Sequence, residues 1–379
     1  MAEQKILSPE NGYSELTAYL RAIGVRHLLV VHDGAYPHLQ VQSVIARLPE
    51  TCGIAVTTFS DLQPNPRYES IEAGVRLFRE AGCDAVLAVG GGSAMDVAKC
   101  VKLYADMEPG DVPFVKREVT ANRIPLLAVP TTAGTGSEAT RFAVIYLNGV
   151  KQSVVHDSIL PEAVLMDASV LDTLPDYQRR ATMLDALSHA VESFWNVNST
   201  EESQRYAAEA IDDVLRYRDG YLRNEPQANS GMLWAAHKAG QAINLTKTTA
   251  GHAMCYKITS LYGAAHGHAA ALVNRKLWPW TLRHLDRCID PRGEAYLKDA
   301  FDRLAAAMGC STAEAAAQRF SDLYDELGLP VPRAKAEDFP VLCASVNPER
   351  LKNHPVALTA GDIEALYHEI LSENTEKVD

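Results

Sequence analysis

Two hydrophobic patterns divide the chain. In the first half, short apolar runs rich in Val, Ile and Leu alternate with segments whose apolar residues recur every three or four positions. The short runs predict strands, and they are HLLVVHD (27–33), GIAVTTFS (53–60), DAVLAVGGG (84–92), PLLAVPTT (125–132), RFAVIYL (141–147) and AVLMD (163–167). Because helix-like segments such as 67–82 separate several of them, we expect a parallel sheet with crossover helices. This half is therefore expected to be an α/β domain of the nucleotide-binding type.

From about Leu174 the strand-like runs almost disappear. Helical patterns cover 174–195, 201–217, 228–244, 293–308, STAEAAAQRFSDLYDELG and TAGDIEALYHEIL. The last of these begins with Thr359 and has Asp362 three residues later, which suits a capping box. We expect residues 1–172 to form the α/β domain and residues 173–379 to form an all-helical domain.

Composition excludes several classes of protein. The 379 residues are 47% hydrophobic, but no apolar run approaches the roughly 18 residues of a membrane span, and the first residues lack the pattern of a secretory signal. Seven scattered cysteines without a C-x-x-C spacing speak against disulfides or a thiolate zinc site. A net charge of −12 disfavours nucleic-acid binding. We expect a cytoplasmic protein that binds neither membrane nor nucleic acid.

Two loops in the first half have the composition of phosphate-binding loops. Gly90, Gly91, Gly92 and Ser93 follow a strand and precede a helix, where backbone amides and the helix dipole favour an anion. A glycine cluster after a strand is equally often a simple turn. The second loop, 128–140, contains five hydroxyl residues, which either cap helices or contact a cofactor. Together the two loops favour a dinucleotide over a mononucleotide.

Asp33 ends the strand at 27–33 and is a weaker signal. A carboxylate there could bind ribose hydroxyls and would repel a 2′-phosphate. It therefore hints at NAD(H), while NADP(H) stays open.

The second half contains the residue types of a metal site. Asp185 and His189 stand four apart on a helical segment, so both side chains lie on one face. Taken alone, such a pair is more often a hydrogen-bonded pair than a pair of ligands. His252 and His266 change the balance, because one carboxylate and three imidazoles suit Fe²⁺ or Zn²⁺ with a position left for a substrate oxygen.

Several motifs in order resemble one family. GGGSAMDVAK (90–99), PTTAGTGSE (130–138), LPEAVLMDASVLDTLP (160–175), DALSHAVE (185–192), HGHAAAL (266–272) and NHPVALTAGDIEALY (353–367) are similar to the iron-containing (group III) alcohol dehydrogenase family, which shares its architecture with glycerol dehydrogenase and dehydroquinate synthase. The resemblance covers nearly the whole chain. It implies an N-terminal dinucleotide-binding domain, a helical metal- and substrate-binding domain, and a metal in the cleft between them. It also implies NAD(H) or NADP(H), a divalent metal that is Fe²⁺ first and Zn²⁺ second, and a homo-oligomer, at least a dimer.

The resemblance also implies roles for individual residues. It places the pyrophosphate on the 90–93 loop, with Asp96 as support. The second cofactor loop would contribute Thr131, Thr132 and Ser137, and Lys151 would lie near the cofactor ribose. The metal ligands would be Asp185, His189, His252 and His266.

Two departures from the family pattern bear on the substrate and on proton transfer. Tyr256 stands where typical members have a second histidine, so the proton relay would use Tyr256, His268 or water. Lys247 stands where members usually have small or apolar residues, which makes sense if the substrate carries an anion. Lys247 is thus a candidate for both catalysis and substrate binding.

The pattern TKTTAGH followed by Tyr resembles the phosphonoacetaldehyde reductase branch, which makes 2-hydroxyethylphosphonate in phosphonate biosynthesis. Further substrate-binding candidates are Thr248, Thr249 and Arg275; a solvent-facing Lys247 is the plainer alternative. Three other functions stay open: a dehydrogenase for a small neutral alcohol or polyol, a lyase like dehydroquinate synthase, and a nucleotide-binding scaffold without activity.

Overall fold

The computed structural model describes residues 4–63 and 65–373, so the predicted domain limits at residues 1 and 379 lie outside the described residues. The chain folds into two compact units, of which one ends at Leu174 and the other begins at Pro175.

The first unit combines strands and helices in alternation. Its described strands are β1 (Lys5–Leu7), β2 (His27–His32), β3 (Ala55–Phe59), β4 (Ala85–Gly90), β5 (Leu126–Pro130), β6 (Phe142–Leu147), β7 (Val150–Val155) and β8 (Ala163–Leu165). Its helices are α1 (Glu10–Ala22), α2 (Gln40–Ala46), α3 (Leu48–Cys52), α4 (Tyr68–Glu80) and α5 (Gly92–Tyr104). In α1, Asn11, Gly12 and Tyr13 have left-handed backbone angles, so the regular helix starts after Tyr13.

A parallel sheet forms the core of this unit, with six strands in the order β1-β8-β5-β4-β2-β3. Every residue of β4 and of β5 is buried. Strands covered on both faces require continuous apolar runs, which is the pattern that the sequence shows there. The carboxyl ends of β2 and β4 lie side by side, since His32 pairs with Val89. Asp33 and the 90–93 loop consequently lie at the same edge of the sheet.

The strand predicted at 141–147 forms, but it pairs outside the parallel sheet. As β6 it joins β7 in an antiparallel hairpin. The connection is Asn148-Gly149, with φ of 52° and 74°. Positive φ at both residues is what a two-residue hairpin turn requires, and Asn-Gly is its strongest sequence signal.

The second unit is helical, as predicted. Its helices are α6 (Asp176–Trp195), α7 (Glu201–Leu222), α8 (Pro226–Thr246), α9 (Ala250–Tyr262), α10 (His266–Arg283), α11 (Glu294–Ala307), α12 (Ala313–Glu326), α13 (Asp338–Ser345), α14 (Pro348–Leu351) and α15 (Ala360–Ile370). The described residues add one short parallel pair, β9 (Arg333–Ala334) with β10 (Ser372–Glu373). The predicted capping box is confirmed: Thr359 Oγ1 accepts from the amide of Asp362, and the carboxylate of Asp362 accepts from that of Thr359.

Helix α6 is the centre of this unit. It packs against α7, α8 and α10, and all residues from Ala181 to Trp195 are buried. Polar side chains on such a helix must find partners inside the protein. Within the described residues, no helix has the length and apolar character that crossing a bilayer requires.

Candidate active site

A buried cluster of one carboxylate and two imidazoles lies between α6 and α9. The Oδ1 atom of Asp185 is 3.5 Å from Nε2 of His252 and 3.9 Å from Nε2 of His189. The two imidazole rings are stacked, with centroids 4.5 Å apart. One ligand atom from each of the three residues lies within 4.8 Å of the others. These residues can therefore serve as ligands of one metal ion.

Two atoms of this cluster indicate that it binds a cation. Asp185 Oδ1 and His252 Nε2 are buried, and neither has a hydrogen-bond partner among the described residues. Burying polar atoms without a partner costs about 1–3 kcal/mol each. Burial by itself would raise the pKa of Asp185, but the neighbouring His189 and His266 hold it below its ordinary value. An ionised carboxylate oxygen facing an imidazole nitrogen is a donor set that fits Fe²⁺ or Zn²⁺.

Glu192 orients His252 and was not singled out from the sequence. Its carboxylate accepts from Nδ1 of His252 at 2.6 Å and from the side-chain amide of Asn274 at 2.8 Å. Burial opposes ionisation of Glu192, yet His252 and these hydrogen bonds hold its pKa at about 2. Because an ionised carboxylate only accepts, Nδ1 of His252 carries a proton, and Nε2 is the ring nitrogen left for a metal ion. Glu192 follows Asp185 by seven residues on one helix face, a signal that was available in the sequence.

Two glycines allow the helices to approach this closely. A Cβ atom on Gly251 would lie 2.1 Å from Oδ1 of Asn274 and 2.4 Å from Oε1 of Glu192. A Cβ atom on Gly267 would lie 2.2 Å from the carbonyl oxygen of Ala181. The residue before His252 and the residue after His266 must therefore lack a side chain.

His266 lies beside the cluster at the start of α10. Its ring centroid is 5.3 Å from that of His252, and its Nδ1 is 3.7 Å from Sγ of Cys255. It is half-buried, whereas the other three residues are buried. The structure therefore brings Asp185, His189 and His252 together, and His266 as fourth ligand remains a prediction.

The loop between α8 and α9 has an unusual backbone at Lys247. Its φ of 65° and ψ of −174° lie in a region that is populated almost only by glycine. The carbonyl of Lys247 accepts from the side chain of Asn196 at 3.2 Å and from the hydroxyl of Thr246 at 2.8 Å. The carbonyl of Thr248 accepts from the side chain of Asn353 at 3.0 Å. Neighbouring side chains thus hold this backbone in place.

Tyr256 connects this loop to the histidines. Its ring stacks on that of His266 with centroids 5.6 Å apart and an angle of 12° between the planes. Its hydroxyl accepts from Nη1 of Arg350 at 2.9 Å, and its side chain also hydrogen-bonds to Thr248. Burial raises the pKa of Tyr256, while Arg350 opposes the shift. Arg350 lies 94 positions away in the chain, so no local pattern pointed to it.

Two substrate-binding predictions are not supported by these contacts. Thr249 is fully buried, and its amide and hydroxyl both donate to Glu192, at 2.7 and 2.8 Å. Its role is to hold Glu192, because its polar groups are already used. Arg275 pairs with Asp325 at 2.9 Å and lies over the ring of Tyr324. No contact described for Arg275 joins it to the Lys247 loop.

The prediction of His268 as a proton relay also needs correction. His268 is 1% exposed, with Nδ1 3.0 Å from the hydroxyl of Tyr177 and Nε2 2.9 Å from that of Tyr324. Burial lowers its pKa. Two residues after His266 on a helix, its side chain points away from that of His266. Both ring nitrogens are engaged in packing the helices.

In the first unit, the glycine loop is built against Asp33. Oδ2 of Asp33 accepts from the amide of Gly91 at 3.1 Å, and Oδ1 accepts from the amide of Ala35 at 2.9 Å. A Cβ atom on Gly90 would lie 2.7 Å from Oδ2 of Asp33. Gly92 and Ser93 begin α5, so the loop ends at a helix N-terminus, where anions bind. Asp33 therefore shapes the loop, and its predicted contact with ribose remains a prediction.

The second loop lies next to the first. Thr131 is buried and donates its amide to the carbonyl of Gly90 at 3.1 Å. A Cβ atom on Gly91 would lie 3.3 Å from the methyl carbon of Thr132. The two loops predicted to bind one dinucleotide are thus adjacent within this unit.

A buried lysine supports the second loop, and it was not assigned a role from the sequence. Nζ of Lys99 donates to the carbonyls of Ser137 and Phe142, both at 2.7 Å, and to the hydroxyls of Ser137 and Thr140. Burial lowers the pKa of Lys99 to about 8, although Asp96 opposes the shift. The Ser137 hydroxyl bonds to Lys99 and Asp96, and a contact of Ser137 with the cofactor remains a prediction.

The carboxylate of Asp96 bonds to the second loop and to β6, and its predicted support of the 90–93 loop remains a prediction. Oδ2 accepts from the amide of Val144 at 3.0 Å and Oδ1 from Ser137 at 3.3 Å. Burial raises its pKa to about 6, and the charge of Lys99 is the largest opposing influence. Lys151, on β7, lies near enough to lower this pKa as well. A contact of Lys151 with the ribose remains a prediction.

Comparisons with known proteins agree with these features. Residues 3–168 match the model of the iron-containing alcohol dehydrogenases, and residues 180–371 match that of the C-terminal region of the same family. Phosphonoacetaldehyde reductase of Streptomyces viridochromogenes is 31% identical over 318 residues, which cover 78% of this chain and 80% of that protein. Alcohol dehydrogenase 4 of Schizosaccharomyces pombe is 29% identical, over 88% of this chain and 82% of its own length.

A solved structure extends the similarity to the whole fold. Sulfoacetaldehyde reductase of Bifidobacterium kashiwanohense, in complex with NAD⁺, superposes with a TM-score of 0.86. It is 26% identical, and the match covers 98% of each chain.

Proposed function

This chain belongs to the iron-containing alcohol dehydrogenase family and is a nicotinamide-dependent oxidoreductase, and we propose that it reduces a small aldehyde that carries an acid group. The substrate that we propose is phosphonoacetaldehyde, which takes up a hydride and a proton to become 2-hydroxyethylphosphonate. The coenzyme that we propose is NADH.

The main support for an acid-bearing substrate is the backbone conformation of Lys247. Residues other than glycine in this conformation cost about 1–3 kcal/mol. Asn196 and Asn353 hold the two successive carbonyls that follow this backbone turn. A glycine would remove the strain, so a lysine here is best explained by what its ammonium group binds. Lys247 is exposed, and an ammonium group on this loop has a use if the substrate has an anionic end.

Two of the related proteins support an acid-bearing substrate. One is named for phosphonoacetaldehyde and the other for sulfoacetaldehyde. Both names describe acetaldehyde with an acid group on the second carbon. The phosphonate is proposed in preference to the sulfonate because the first protein shares 31% identity with this chain and the second shares 26%.

The proposed roles divide between the two units. The 90–93 loop would hold the pyrophosphate of the coenzyme. The metal would be held by Asp185, His189, His252 and His266, with Glu192 fixing the tautomer of His252. When bound, a divalent iron or zinc ion supplies Lewis-acid polarisation of a carbonyl, and a reduced nicotinamide supplies the hydride.

The remaining steps belong to the chain itself. Lys247 and Thr248 would hold the acid group, which restricts the motion of the aldehyde and lowers the entropic cost of the reaction. The hydroxyl of Tyr256 would supply the proton, because Arg350 donates to its oxygen and leaves the phenolic hydrogen to another acceptor. Replacement of that proton from solvent completes the cycle.

Kinetics with a pair of aldehydes tests the proposal. The enzyme is loaded with Fe²⁺ or Zn²⁺, and oxidation of NADH is followed with phosphonoacetaldehyde and with propanal, a neutral aldehyde of similar size. We expect a lower KM for phosphonoacetaldehyde. In Lys247→Ala that KM should rise about 10- to 100-fold, because a charge-assisted hydrogen bond contributes about 1.5–3 kcal/mol. The KM for propanal should stay unchanged.

Lys247→Gly is the matched second variant. It also removes the ammonium group but relieves the backbone strain, so it should unfold at a higher temperature than Lys247→Ala while losing the same substrate preference. Equal KM values of the wild type for both aldehydes would favour a dehydrogenase of neutral alcohols. Product formation without net NADH oxidation would favour a lyase.

A further inference from the structure

The segment from Asn347 to His354 reaches the proposed substrate loop by two separate contacts. Asn353 donates its side-chain amide to the carbonyl of Thr248 at 3.0 Å, and accepts from the side chain of Asn198 at 3.2 Å. Arg350, one turn earlier, donates to the hydroxyl of Tyr256. The same segment thus holds the backbone beside Lys247 and places a second cation nearby.

A single aromatic ring, that of Tyr256, lies between Arg350 and His266, the histidine beside the Asp185–His189–His252 cluster. The guanidinium carbon of Arg350 lies 5.2 Å from the centroid of the Tyr256 ring. That ring stacks on His266, and its side chain hydrogen-bonds to Thr248. Tyr256 therefore joins His266, Arg350 and Thr248, the residue after Lys247, in one set of contacts.

The chemistry of a guanidinium suits an oxyanion at this place. It presents five N–H donors in a planar fork, so it can serve a phenol oxygen and an acid group together. Lysine acts as a point charge, whereas arginine adds a directional pair of hydrogen bonds. A phosphonate carries up to two negative charges, which the cations of Lys247 and Arg350 would match.

We infer that Arg350 binds the acid group of the substrate together with Lys247, and that it determines the preference for acid-bearing over neutral aldehydes. This inference rests on the proposed function and adds to it a residue from a distant segment of the chain. It replaces Arg275 in the role of the substrate-binding arginine, since Arg350 reaches the Lys247 loop through Tyr256 and Thr248, whereas no contact described for Arg275 does.

Two readouts on the metal-loaded enzyme test the inference. The first is the equilibrium affinity for 2-hydroxyethylphosphonate, measured by calorimetry in the presence of NAD⁺. The second is kcat/KM for phosphonoacetaldehyde and for propanal. In Arg350→Ala we expect the affinity and the first kcat/KM to fall about 10- to 100-fold. The kcat/KM for propanal should fall by a smaller factor, because loss of the Arg350 contact with Tyr256 affects both aldehydes alike.

Arg287→Ala is the matched control, because Arg287 is also half-buried, lies over an aromatic ring, that of Trp280, and bonds to Asp362. It should leave the ratio of the two kcat/KM values unchanged. Arg350→Lys keeps a charge without the fork and should lose several-fold in affinity. If the alanine variant does not fold, Arg350→Lys still tests whether the guanidinium binds the acid group.

The possible outcomes distinguish the role of Arg350 from the proposed function itself. If the wild type prefers phosphonoacetaldehyde and Arg350→Ala loses that preference, the inference stands. If the preference survives, or if both aldehydes are affected equally, Arg350 only positions Tyr256 and the inference fails while the proposed function holds. A wild type without any preference for phosphonoacetaldehyde would overturn both.

Discussion

Each unit of this protein contains a buried polar centre, and the two centres differ in whether the protein satisfies them. In the first unit, Nζ of Lys99 has four oxygen acceptors, and both oxygens of Asp96 accept hydrogen bonds. In the second unit, Asp185 Oδ1 and His252 Nε2 are buried and have no hydrogen-bond partner in the described part of the chain. The first centre is complete as the chain folds, whereas the second offers ligand atoms to something else.

This difference distinguishes scaffolding from a binding site. A satisfied network of buried charges holds loops in one conformation, as Lys99 does for the loop at 137–142. Buried polar atoms without partners are costly, so their persistence points to a ligand. Both centres lie in recognisable motifs, and only the hydrogen-bond pattern separates their roles.

Asp185→Ala should have the largest effect on the second centre. Removing a ligand should abolish stable metal binding, and turnover should fall about a thousandfold, since metal polarisation is worth several kcal/mol. Metal content after dialysis and steady-state kinetics measure both. His266→Ala should give the same result if His266 is the fourth ligand. Asp212→Ala, which removes an exposed pair with Arg216, is the control and should retain the ion. Normal metal content in Asp185→Ala would contradict the site.

Lys99→Met tests the first centre. The carbonyls of Ser137 and Phe142 would lose their donor in a buried place, so the free energy of unfolding should fall by about 3 kcal/mol. Chemical denaturation measures this change. The KM for NADH should rise while metal content stays normal. Lys116→Met changes an exposed lysine and serves as the control. A loss of metal in Lys99→Met would mean that the two centres are not independent.

Glu192→Gln should weaken metal binding without abolishing it. The side-chain carbonyl oxygen of a glutamine can still accept from Nδ1 of His252. It lacks the negative charge of the carboxylate, which makes the imidazole a stronger ligand. We expect about a 10- to 100-fold weaker affinity, measured by competition with a chelator. Glu202→Gln on the surface of α7 is the control. An unchanged affinity would show that Glu192 only packs the helices.

His268→Phe tests the corrected role of this residue. The hydroxyls of Tyr177 and Tyr324 would lose their shared partner, so the free energy of unfolding should fall by about 1–2 kcal/mol. Metal content and the pH dependence of turnover should match the wild type. A shifted pH profile of turnover would indicate that His268 takes part in proton transfer.

Over a single pH unit, the pH dependence of stability should be no larger than the effect of His268→Phe. Burial lowers the pKa of Lys99 to about 8, whereas an unfolded lysine titrates near pH 10.4, as a rough reference value. Between these values the unfolded chain binds more protons, so this group makes the free energy of unfolding rise with pH, by at most about 1.4 kcal/mol per unit. Below pH 8 the contribution is lost. The difference between wild type and Lys99→Met, measured at two pH values in this window, should show the slope; a flat difference would contradict the shifted pKa.

Much of the fold could be predicted from periodicity alone. The buried runs at β4 and β5 and the helical patterns after Leu174 are long and regular, so local signals agree with the tertiary result. The strand at β6 was predicted correctly in position, but its antiparallel partner depends on the Asn148-Gly149 turn. Pairing is a non-local property, and periodicity does not report it.

The candidate site also combines residues that local spacing predicts with residues that only the tertiary structure brings together. Asp185 and His189 share one helix turn, so their proximity follows from spacing, and His252 was brought in by residue type and by family resemblance. Glu192 and Arg350 act through contacts with segments far along the chain. Thr249 and His268 have suitable chemistry, but their polar atoms are already engaged by Glu192 and by two tyrosines.

The sequence by itself determined the family, the order of the elements and the residue types that gather at the metal cluster. These depend on local spacing and on motifs, which can be read along one dimension. The tertiary structure decided which polar atoms remain without a partner, because a hydrogen bond consumes a donor or an acceptor wherever its partner lies in the chain. It also showed that Lys247 occupies a glycine conformation and that Arg350 lies behind Tyr256. The distinction between a packed polar residue and a residue that binds a ligand was therefore made in three dimensions.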